Sequence, residues 1–178
     1  MKKFFFSLVA LAAVAGLAAA SGPRVARAAL SAVERSVDDR ITQLWNDVPF
    51  LVIGKTRGVY LENYGAVFTL EVNLVHTPTS LMHPTPSPAE VAAAHQKKLE
   101  RIPVLKKNLR EALVSAAATL DSVPADQTVT IVAFLPHYPW EDMNGIPGQL
   151  TLQAPKSKLL EAQRSGANLD STIQVTEN

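Results

Sequence analysis

The sequence predicts an α+β domain, with an antiparallel or mixed sheet of about four to five strands and its helices on one face. Three observations lead there. Phe68, Leu70, Val72 and Leu74 alternate with Val67, Thr69, Glu71, Asn73 and Val75, the period of a strand with an apolar face and a wetter one. Thr128 to Leu135 is apolar on nearly both sides, as a central strand is. Between them, Ser87-Pro88-Ala89-Glu90 places serine at N-cap, proline at N1 and glutamate at N3 of a long helical pattern.

The chain opens on an address. Lys2 and Lys3 are followed by an apolar run from Phe4 to Ala20 interrupted only by Ser7, and Ala18-Ala19-Ala20 suits signal peptidase. Residues 1–20 are therefore expected to be a signal peptide cut before Ser21, with Ala26-Arg27-Ala28 as a second A-x-A site. Residues 21–178 are expected to form one domain, periplasmic or secreted, with no stable membrane span after cleavage.

The elements of that domain follow in order. Val33, Val37, Ile41, Leu44 and Trp45 make the stripe of an amphipathic helix. Ser31-Ala-Val-Glu34 reads as its capping box, or the helix starts nearer Val25, and Pro49 marks its end. Phe50 to Ile53 is a short apolar run, Gly54 to Gly58 reads as a hairpin loop, and Val59 to Leu61 leads into the Glu62-Asn63-Tyr64-Gly65 turn. Residues 76–88 are a loop holding Pro78, Pro84, Pro86 and Pro88. The helix from Ser87 to about Leu120 carries the stripe Leu105, Leu109, Leu113, Ala116 and Leu120, and Pro103 should kink or divide it. Gln149 to Ala154 reads as a strand and Lys156 to Arg164 as a helix closed by Gly166. Thr172 to Thr176 is an edge strand or part of a mobile tail over residues 165–178. If the strands at 67–75 and 128–135 are neighbours, the helical crossover makes them parallel.

Composition removes several functions. The chain of 178 residues has no cysteine, which excludes disulfides, thiolate nucleophiles and Cys-held metal centres. Its net charge of +1 becomes −1 without Lys2 and Lys3, so no overall field gathers nucleic acid or an anionic membrane. No cofactor is expected.

Candidate chemistry is sparse. Gly54-Lys55-Thr56 resembles the end of a phosphate loop, but position 49 is proline where the first glycine belongs, and strand-like residues follow where a helix is needed. No two of His76, His83, His95 and His137 have helical metal-ligand spacing. Parallel central strands would place His76 and His137 at one end of the sheet, with Glu90 as a carboxylate partner. A serine elbow is absent, and Ser87 is engaged as a cap while Ser80 lies in the proline loop. Asp38-Asp39 reads as a solvated helix face, and Glu141-Asp142 is a second carboxylate pair. Lys97, Lys98, Arg101, Lys106, Lys107 and Arg110 make the long helix basic without interleaved aromatics, a solvated face in place of a nucleic-acid surface.

Residues 136–148 differ from the rest. Pro136, Pro139 and Pro147 stiffen a segment containing Tyr138, Trp140 and Met143, so its aromatics lose little entropy on binding. Tyr138, Trp140, Glu141, Asp142 and Asn144 are the expected ligand-binding residues; the competing reading has Trp140 closing one end of the core. The expected function is an exported, non-catalytic binding or assembly module of the cell envelope, its partner a protein, peptide or envelope glycan. The alternative is a small exported hydrolase using histidines or carboxylates at the strand ends, possibly with a metal.

Overall fold

The computed structural model describes residues 25–45, 47, 50–76 and 85–178. The signal peptide and its cleavage site, Pro49, Ser80, His83 and most of the proline loop lie outside them. Helix α1 spans Arg27–Thr42, β1 Leu51–Leu61, β2 Gly65–Asn73, α2 Pro88–Thr119 and β3 Thr128–Phe134. Then come β4 Gln149–Pro155, α3 Lys156–Ser165, α4 Leu169–Thr172 and β5 Gln174–Glu177. The strands form one five-stranded mixed sheet in the order β1-β2-β3-β4-β5. Among the described residues only the β2–β3 pair is parallel, with α2 as its crossover, and β3 is the central strand. The α+β class is thus the observed one.

Hairpin β1–β2 turns where Asn63 adopts a φ of 62° and Gly65 a φ of 135°. A Cβ on Gly65 would sit 1.9 Å from the Thr128 carbonyl oxygen, so the start of the parallel pair admits no side chain there. The α2 capping box is complete, with Ser87 Oγ accepting from the Glu90 amide and Glu90 accepting from the Ser87 amide. Gly166 ends α3 in the left-handed conformation at a φ of 65°.

Register aligns the core in three rows across β2, β3 and β4: Ala66–Val129–Ala154, Phe68–Ile131–Leu152 and Leu70–Ala133–Leu150. All nine side chains are buried, in one cluster with Val33, Val37 and Ile41 of α1 and Leu105, Leu109 and Leu113 of α2. On the opposite face Arg57, Val59, Glu71 and Phe134 are exposed and Val67, Thr69, Val132 and Thr151 half-buried.

Several expectations change. Ser31 does not cap α1; the helix starts five residues earlier, with Ala26 at N-cap, near Val25 as the alternative had it, and Glu34 is used elsewhere. Gly54 to Gly58 is no loop but the bulged middle of one continuous strand, β1. Pro103 does not divide α2, which runs on through it with the proline on its exposed side. The buried stripe beneath outweighs one missing N–H. Asn73, expected on the wet face, is 2% exposed and accepts the Val75 amide. Lys98 and Arg101 are not solvated but 3% and 1% exposed. The long helix packs on α1 and α3 and, among the strands, against β3 and β4, whereas α1 lies against β1. Residues 169–177 form α4 and β5, so the C-terminal strand is the edge strand.

Candidate functional site

Because β2 and β3 are parallel and Glu71 pairs with Phe134, the segments after both strands leave from the same end of the sheet. Residues 74–76, the loop at 136–148 and the first half of α2 meet there. His76 and His137 are therefore at one end, as the parallel arrangement implied. Glu90 is committed to its cap. No group of three or more His, Asp or Glu placed to hold a metal occurs among the described residues.

The 136–148 loop is fastened from below. Glu141 Oε2 accepts from Lys98 Nζ at 2.7 Å and from the Tyr138 amide at 2.9 Å, and both charged side chains are 4% exposed. His95 Nδ1 lies 2.9 Å from the Asp142 carbonyl oxygen; a carbonyl only accepts, so His95 carries a proton on Nδ1. Asp142 Oδ1 accepts the Asn144 amide at 2.9 Å, a local turn, and Gly145 with a φ of 72° carries the chain around it. Ile146, 8% exposed, enters the core cluster and Met143 packs on it. Trp140 is outside that cluster. Its ring lies over Tyr138 with centroids 5.4 Å apart and planes within 9° of parallel. Tyr138 is 39% exposed and Trp140 half-buried.

The five sequence-derived residues thus separate by environment. Tyr138 and Trp140 form a stacked pair at the surface, and Asp142 and Asn144 are exposed beside it. The Glu141 carboxylate is turned inward and occupied by Lys98. Sequence reasoning missed the anchors His95 and Lys98. A signal was there: Ala94, Lys98, Arg101, Ile102, Leu105 and Leu109 occupy one helical stripe, and all six are buried.

Arg101 anchors the neighbouring corner. Its guanidinium donates to the Leu74 carbonyl oxygen and to Asp47 Oδ1 at 2.8 Å, and lies 4.8 Å from the Trp45 ring centroid. Trp45 meets Phe50 edge-on at 5.1 Å. Lys97 reaches Asp47 at 2.7 Å, and that hydrogen bond outweighs desolvation to raise the Lys97 pKa above 10.5. Asp47 thereby ties the segment after α1 to α2.

The arrangement gives a stacked aromatic pair at the surface of a loop fastened from below by a buried ion pair. No family model, curated protein or solved structure matches the chain.

Proposed function

We propose that this protein is an exported, non-catalytic binding or assembly module of the cell envelope, and that the 136–148 loop is its recognition surface. The observation that carries the reading is the Tyr138–Trp140 stack: Tyr138 exposed and Trp140 half-buried, both outside the core cluster, on a loop held by a buried ion pair beneath it. Aromatics fixed in this way supply contact area at low entropic cost, the property that concentrates binding energy in a few such residues. Asp142 and Asn144 add polar groups at the rim. The partner is a protein, peptide or envelope glycan, and export rests on the order of charge, apolar run and A-x-A site in residues 1–20.

The test uses the purified protein against two probes, insoluble envelope glycan and a soluble extract of envelope proteins. Retention by one of them should be lost in a Tyr138→Ala/Trp140→Ala variant whose urea midpoint stays near wild type. Unchanged retention by that variant would move the recognition surface elsewhere, and intact-mass measurement of a membrane-bound species retaining Met1 would remove export.

A further inference from the structure

A second site lies on the sheet face away from the core cluster. Val52 pairs with Val72 and Arg57 with Thr69, so five steps along β1 match three along β2. Two register shifts, between Val52 and Gly54 and between Gly54 and Arg57, absorb the difference. Bulges of this kind bend a strand and re-aim its side chains, and they occur often beside binding sites. Here they border a cleft of about 260 Å³ lined by Gly54, Lys55, Arg57, Thr69, Glu71 and Phe134, with Leu70 at its base. Gly54, Glu71 and Phe134 form one row across three strands. A Cβ built on Gly54 would come into ordinary contact with the Glu71 side chain at 3.9 Å, so the glycine leaves the space beside that carboxylate clear.

Charge is the second observation. Lys55, Arg57 and Glu71 are exposed, and none makes a side-chain hydrogen bond or ion pair with another described residue. Phe134 is 40% exposed beside them. Lysine or arginine on an edge strand also discourages edge-to-edge pairing. That role needs neither the carboxylate one strand in nor the aromatic ring two strands in.

We infer that this cleft binds a small zwitterion with an apolar side chain, a ligand of the amino-acid class. Its carboxylate meets Lys55 and Arg57, whose fork suits a carboxylate. Its ammonium meets Glu71, and its apolar group covers Phe134. A cleft of about 260 Å³ suits a small ligand better than a drug-sized one, since larger ligands use pockets of roughly 300–1,000 Å³. The site is separate from the Tyr138–Trp140 surface and stands or falls independently of it.

The experiment is an amide-resolved NMR titration of the purified protein with phenylalanine, phenethylamine and 3-phenylpropionate. Phenylalanine should give saturable shifts at residues 54–57, 69–71 and 134. The amine, which lacks the carboxylate, and the acid, which lacks the ammonium, should each bind at least about tenfold more weakly. Arg57→Gln and Glu71→Gln change exposed side chains and leave the fold intact, and each should weaken phenylalanine by a similar factor. Absence of saturable shifts with phenylalanine would overturn the site. Equal binding of either analogue, or wild-type affinity in both variants, would overturn the zwitterion assignment.

Discussion

Lys98 and Glu141 show at the scale of single residues how much depends on a buried charge keeping its partner. Each side chain is 4% exposed and they meet at 2.7 Å. Removing one partner leaves the other charge uncompensated in a poorly solvated place, which typically costs about 3–5 kcal/mol. Lys98→Met and Glu141→Leu should each destabilise by that order, and the double variant should recover part of the loss; urea unfolding of all three provides the cycle. Single variants that unfold like wild type would mean the pair is solvated. Phe68 and Glu71 make a second contrast within one strand. Phe68 is fully buried between two neighbouring rows and Glu71 is exposed. Phe68→Ala should cost about 3–5 kcal/mol, whereas Glu71→Ala should stay within about 0.5 kcal/mol. Equal losses in chemical denaturation would contradict the strand's assigned faces.

At the scale of elements, the outer edge of β1 is guarded by side chains of α1. An edge strand exposes unpaired amides and carbonyls, a template for pairing with another chain. Glu34 Oε1 accepts the Gly58 amide at 2.7 Å and Asp38 Oδ1 accepts the Thr56 amide at 2.8 Å. Arg27 donates to the Gly58 carbonyl oxygen at 2.9 Å and to the Glu34 carboxylate at 2.7 Å. Glu34 and Asp38 stand one helical turn apart, so both face the edge; this is why Asp38 is half-buried instead of solvated. Gly58 admits nothing larger, since a Cβ would come within 2.5 Å of the Phe68 ring. Burial raises the Glu34 pKa, but the Gly58 amide and Arg27 outweigh it, and the net shift is downward from 4.5. A carboxylate with a lowered folded pKa contributes stability that is present above its unfolded pKa and is lost as pH falls through the folded one. Glu34→Gln should therefore lower stability by about 1.5–3 kcal/mol at neutral pH, the worth of hydrogen bonds to a charged group. The gap should close progressively below pH 4.5. Urea midpoints of the two proteins measured from neutral to acid pH test this; a gap that stays constant would place the effect on packing.

At the scale of the whole molecule, what was readable from sequence divides by the range of the interaction involved. The β2 alternation, the Ser87–Glu90 cap, the Asn63–Gly65 turn and the leucine stripe of α2 are local patterns, and each forms the element it implied. The unread features depend on partners far along the chain. β1 continues through Gly54 to Gly58 because β2 and α1 satisfy its backbone on either side, which no window of that glycine-rich stretch announces. Lys98 and Arg101 look solvated until Glu141, Leu74 and Asp47 arrive from elsewhere. The same long-range packing decides what Trp140 does, because the open end of the core has another occupant. Ile146 is 8% exposed within the core cluster and Met143 packs against it, while Trp140 rests on Tyr138 outside. Truncating Ile146 to Ala should thus cost about 2–5 kcal/mol. Trp140→Ala removes a surface aromatic stack and should cost only about 0.5–1.5 kcal/mol, a pairing that thermal or urea unfolding of the two variants resolves directly. A Trp140→Ala loss as large as that of Ile146→Ala would make the tryptophan a plug of the core and leave Tyr138 to carry recognition alone. The expected order, with Ile146 closing the core, leaves the indole available to a partner without the fold depending on it.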